Sequence, residues 1–79
     1  MSRVLIVDDN ETMRSGVALV VERMSHDAVS AASGAEALQR LSEEPCDLVI
    51  TDYRMREMDG LQVLEAVKSD HPDTDVIII

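Results

Sequence analysis

Asp47-Leu48-Val49-Ile50-Thr51-Asp52-Tyr53-Arg54-Met55-Arg56-Glu57-Met58-Asp59-Gly60 is the stretch on which the fold turns. Its β-branched run Val49-Ile50-Thr51 is too short for a helix. It reads as a strand buried on both faces, the habit of a parallel sheet covered by helices. The run stops on a carboxylate, Asp52, before a loop and a new helix. In open α/β sheets ligands bind at the carboxyl edge of the strands, so an acid placed there is a candidate reactive group as well as a turn former.

Upstream, Val4 to Val7 is a second apolar run without alternation, and it too ends in acids, Asp8 and Asp9. Met13, Val17, Val20, Val21 and Met24 then recur at helical spacing, an apolar face expected to pack on the sheet with Arg14, Glu22 and Arg23 turned to water. Gly16 inside that helix costs about 1 kcal/mol against alanine, which is read as close helix-to-sheet packing. Ser25-His26-Asp27 ends the helix, with His26 a solvated turn residue, and Ala28 to Ala32 forms a short strand. Ser33 and Glu36 have the spacing of a capping box ahead of Ala37, Leu38 and Leu41, and Glu43-Glu44-Pro45 closes that second helix.

Downstream, Asp59 is placed to cap a third helix, with Gln62 at the capping-box position, Leu61, Leu64 and Val67 inward and Lys68 near the end. His71-Pro72-Asp73 makes a turn, and Val76-Ile77-Ile78-Ile79 is a fourth buried-strand run. The order is β-α-β-α-β-α-β. Right-handed crossovers turn that order into a parallel sheet with helices on both faces.

Composition narrows the function. A chain of 79 residues with 46% hydrophobic content is at most one small domain, burying roughly 60% of the surface its unfolded chain exposes. Seven Lys and Arg stand against 16 Asp and Glu, a net charge of -9, so the segment as a whole repels a nucleic-acid backbone. The single Cys46 forms no internal disulfide, and no paired Cys/His spacing points to zinc, which fits the cytoplasm. The N-terminus runs straight into Val4, too soon for a signal peptide, and no stretch is long enough to span a membrane.

If the first and third strands lie side by side, Asp8, Asp9 and Asp52 converge at one sheet edge. Three anions there require a cation, and hard carboxylate oxygens suit Mg²⁺ with several waters retained. A carboxylate beside such an ion is able to attack phosphorus and form an aspartyl phosphate. Asp52 is the nucleophile candidate, since the Asp8–Asp9 pair is suited to holding the ion. The competing reading is that these acids only cap helices and strand ends, a role open to Asp9 and Asn10 before the first helix.

Val4-Leu5-Ile6-Val7-Asp8-Asp9-Asn10, Asp52-Tyr53-Arg54-Met55 and Met58-Asp59-Gly60 resemble the receiver domain of bacterial two-component response regulators. The resemblance covers residues 1–79. It implies a flavodoxin-like, doubly wound parallel sheet, incomplete here, with about four strands and three helices of the usual five and five. It also implies a signalling module, not an enzyme: Asp52 accepts a phosphoryl group from a histidine kinase, and Asp8, Asp9, Asp52 and the backbone carbonyl of Arg54 bind Mg²⁺. The signal passes to an output domain. The flavour is that of receivers fused to enhancer-binding or other DNA-binding output domains.

Two departures stand out. Arg56 occupies a position where the family usually has proline. The chain also stops before the hydroxyl residue after the fourth strand and before the lysine that ends the fifth, so the expected consequence is a truncated, switch-deficient receiver. A fourth strand left as an apolar edge predicts self-association, by edge pairing or by exchange of elements. The other classes are a Mg²⁺-dependent aspartyl-phosphate phosphohydrolase, disfavoured because Arg54 stands where its second acid belongs, and a non-phosphorylated assembly fragment.

Overall fold

Strands and helices alternate along the chain as the apolar runs require. The computed structural model describes residues 2–79. They form β1 (Arg3–Val7), α1 (Glu11–Arg23), β2 (Asp27–Ala31), α2 (Gly34–Glu43), β3 (Leu48–Thr51), α3 (Gly60–Asp70) and β4 (Asp75–Ile78). The strands make one parallel sheet in the order β2-β1-β3-β4, with Val4, Leu5, Ile6 and Val7 in register with Leu48, Val49, Ile50 and Thr51. This is the expected flavodoxin-like arrangement of four strands and three helices. β2 and β4 each begin one residue earlier than the apolar runs predict.

Each helix is capped by the residue its sequence offers. Asn10 accepts the Met13 N–H at 3.0 Å at the start of α1. Asp59 and Gln62 make both bonds of a capping box at 2.9 Å. At α2, Ser33 Oγ accepts the Glu36 N–H, but the Glu36 carboxylate accepts the N–H of Ala32, one residue before the cap. α1 ends in a Schellman arrangement: the His26 N–H donates to the Val21 carbonyl and the Ser25 N–H to that of Glu22, with Ser25 left-handed at φ 67°.

The two faces of the sheet are covered unequally. Under α2 and α3 lies the main core, in which Leu5, Val7, Val49 and Ala31 meet Ala37, Leu41, Val63 and Val67. On the other face α1 lies over β1 and β2, setting Val21, with Val17 and Ala18, against Val4 and Ile6. A helix about 10 Å wide spans about two strands spaced by roughly 4.8 Å, so one helix leaves half of a four-stranded sheet open. Leu48 and Ile50 are therefore only partly buried, and Ile77 is 48% exposed.

That geometry corrects several side-chain assignments. Met13, Val20 and Met24 of α1 point to solvent, because the helix touches the sheet along the narrower stripe of Val17, Ala18 and Val21. Gly16 faces open space, with nothing within 4 Å of where its Cβ would be, so close packing does not explain it. In α3 the inward residues are Gly60, Val63 and Val67. Leu61 is 50% exposed, because the cap at Asp59 and the contact at Gly60 fix the rotation of the helix. His26 is half-buried, and its Nδ1 accepts the Ser2 N–H at 3.1 Å, tying the start of β1 to the turn after α1.

Candidate functional site

β1 and β3 are neighbours from which the chain winds in opposite directions, the switch point where open α/β sheets leave a crevice at their carboxyl edge. Strand pairing continues one residue beyond each strand. The Asp8 N–H donates to the Ala31 carbonyl at 3.2 Å and the Asp52 N–H to the Val7 carbonyl at 2.9 Å, which fixes the backbone of both acids. One carboxylate oxygen from each of Asp8, Asp9 and Asp52 lies within 4.8 Å of the others. Asp8 is only 6% exposed, while Asp9 and Asp52 are half-buried.

Capping does not use up these acids. Asn10 caps α1, leaving Asp9 turned to the crevice, and Asp8 Oδ1 accepts the Asn10 N–H at 2.9 Å. Asp59, by contrast, is a helix cap. Arg14 is the residue that sequence reasoning misplaced: it is half-buried, and its Nη1 donates to the Asp8 carbonyl at 2.8 Å. The signal for it was the tendency of helical side chains to lean toward the N-terminus, which carries a first-turn arginine back over the residues before the cap.

The loop from Tyr53 to Asp59 lies against the acids. Met55 and Met58 pack on the core and anchor it. At its far end the Gly60 N–H donates to the Tyr53 carbonyl at 2.8 Å, and a Cβ on Gly60 would lie 2.6 Å from the Asp52 carbonyl oxygen. Glycine thus lets α3 start directly against the end of β3. Tyr53 and Arg54 are exposed, and Glu57 turns the loop in the left-handed region at φ 67°. Arg56 reaches back across the crevice, its N–H donating to Asp9 Oδ2 at 3.3 Å and its Nε lying 3.8 Å from the same oxygen. Asp9, Ala32, Ser33, Arg56 and Glu57 line the shallow groove beside the acids.

Three carboxylates and no nitrogen or sulfur ligand form a hard donor set that suits Mg²⁺, which keeps several waters and needs few protein ligands. The donor set therefore fits the ion that the sequence implies. Cys46 is no competing nucleophile: it is 7% exposed, and burial pushes its thiol up from the ordinary value, keeping it protonated. Among the described residues no helix is long and apolar enough to cross a membrane.

The chain is similar to the transcriptional regulatory protein GlrR of Escherichia coli (strain K12), 38% identical over 78 residues that make up 99% of this chain and 18% of that protein. It is also similar to the response regulator receiver protein CpdR of Brucella abortus (strain 2308), 33% identical over 79 residues, covering 100% of this chain and 66% of that one. Among solved structures, a response regulator receiver domain protein from Clostridium thermocellum superposes with a TM-score of 0.93 at 29% identity, covering 99% of this chain and 64% of its own. The chain thus spans under a fifth of GlrR and about two thirds of the other two proteins. The response regulator receiver domain model matches residues 4–79, nearly the full length, and by that match this chain belongs to the receiver domain family.

Proposed function

We propose that residues 1–79 are part of a receiver domain in which Asp52 accepts a phosphoryl group from the phosphohistidine of a histidine kinase. In that transfer a P–O bond forms to a carboxylate oxygen of Asp52 as the P–N bond to the donor imidazole breaks. The observation that carries the reading is the meeting of Asp8, Asp9 and Asp52 within 4.8 Å at the sheet's switch point. Asp8, Asp9, Asp52 and the backbone carbonyl of Arg54 would hold Mg²⁺. When bound, that ion offsets the charge on the transferring phosphoryl oxygens.

The protein's own groups do the positioning. The Asp52 N–H bonded to Val7 and the Gly60 contact hold the acceptor backbone, and Arg14 and Asn10 hold Asp8. In the whole protein we assign the readout to an output domain that regulates transcription in the cytoplasm, as the relation to GlrR supports. With a net charge of -9, these 79 residues leave nucleic acid to that domain. The 79 residues alone carry the acceptor and its metal ligands, and relay is assigned to the further third that the solved receiver possesses. By themselves they associate with a second copy through β4, the sheet edge whose Ile77 is 48% exposed.

Incubation with Mg²⁺ and a small acyl phosphate, read by intact mass, tests the acceptor. A stable phosphate adduct on the wild type and none on Asp52→Asn is the expected result. Rapid turnover of the donor without an adduct would indicate the phosphohydrolase instead, and neither adduct nor turnover would leave an inert assembly unit.

A further inference from the structure

Arg56 is the one loop residue that reaches a carboxylate of the cluster among the described residues, once through its backbone and once through its side chain, both at one atom. Its N–H and its guanidinium Nε both face Asp9 Oδ2, at 3.3 Å and 3.8 Å. A proline at this position, usual in the family, offers neither contact: it has no N–H and no charge. Arg54, two residues earlier, makes no ion pair among the described residues.

We propose that Arg56 is a tethered cation that competes with Mg²⁺ for Asp9 and so sets the affinity of the acidic site. The inference rests on reading Asp8, Asp9 and Asp52 as metal ligands. A divalent ion that takes Asp9 Oδ2 either displaces the guanidinium or shares the oxygen with it, and two cations on one oxygen repel each other. Either way Arg56 raises the Mg²⁺ concentration needed to fill the site. The contact is breakable, since the Arg56 side chain is 89% exposed and that of Asp9 28% exposed. The effect is therefore that of a screened surface pair, about two- to fivefold in the dissociation constant.

Isothermal titration with Mg²⁺ on the intact chain, supported by the fluorescence of Tyr53 beside the acceptor, tests this with no phosphoryl transfer involved. Arg56→Ala and Arg56→Pro are expected to bind Mg²⁺ about two- to fivefold more tightly than the wild type, while Arg56→Lys, which keeps the charge, stays near it. Arg54→Ala removes the same charge from the same loop without breaking a contact to Asp9, and its shift is expected to be smaller. Thermal melts monitored by circular dichroism confirm that each variant is folded, and Arg56→Gln replaces the proline variant if that one fails to fold. Unchanged or weaker binding by Arg56→Ala overturns the proposal, as does a shift in Arg54→Ala equal to that in Arg56→Ala. A wild type that binds no Mg²⁺ overturns the metal-site reading and this inference with it, whereas a wild type that binds while Arg56 variants do not differ overturns this inference alone.

Discussion

Gly60→Ala sets two effects against each other beside Asp52. Gly60 opens α3 without a left-handed φ, so backbone freedom is not why glycine stands there, and propensity alone would favour alanine by up to about 1 kcal/mol. Sterics point the other way. The new Cβ would lie 2.6 Å from the Asp52 carbonyl oxygen and 2.9 Å from Tyr53 Cα, both backbone atoms that no rotamer change moves away. Restoring ordinary contact requires α3 and the end of β3 to separate by about 0.8 Å, which also strains the 2.8 Å bond from the Gly60 N–H to the Tyr53 carbonyl. Overpacking of this kind costs about 1–3 kcal/mol, and a weakened hydrogen bond adds about 1 kcal/mol.

The clash therefore wins, and Gly60→Ala is expected to lose about 1–3 kcal/mol in urea denaturation, a large part of the roughly 4–12 kcal/mol available to a domain of this size. The displaced backbone is that of Asp52, the proposed acceptor, and a shift near 1 Å costs on the order of 10²-fold in a positioned reaction. Phosphorylation by an acyl phosphate with Mg²⁺ should slow accordingly even where the variant remains folded. A Gly60→Ala protein as stable as the wild type and phosphorylated at the same rate would refute the view that this contact positions Asp52.

Three further outcomes are expected. The Ala32 N–H bond, helped by Arg40, holds the Glu36 carboxyl below its ordinary 4.5, so its contribution is complete above that pH and fades as pH falls below it. Glu36→Gln should thus cost about 0.5 kcal/mol at pH 7 in thermal melts and progressively less as pH falls below 4.5, and a gap that does not shrink on acidification would contradict this. Ser25→Gly, which relieves the left-handed residue at the end of α1, should add about 0.5–1 kcal/mol, and a loss of stability would count against strain at that position. Sedimentation at micromolar concentration should find the 79-residue chain self-associated and Ile77→Lys less so; a compact wild-type monomer would rule out pairing through β4.

The sequence by itself determined the order of elements and which three acids meet at the sheet edge. The apolar run Val4–Val7 and the β-branched run Val49–Thr51 read as strands of a parallel sheet, and the acids that end them must then lie at one edge of it. Caps were equally legible at Asp59 and Ser33, because capping is settled by side chains within four residues. Helix rotation was not. Apolar residues outnumber the inward positions of α1 and α3, and the stripe that is buried depends on where each helix meets the sheet, so Met13, Val20 and Leu61 face water while Val63 is wholly enclosed. Tertiary structure alone also brought Arg56 to Asp9, 47 residues apart along the chain. Short-range patterning encodes which groups reach the crevice edge. Which cations lean over them is fixed only when loop and helix are folded against it.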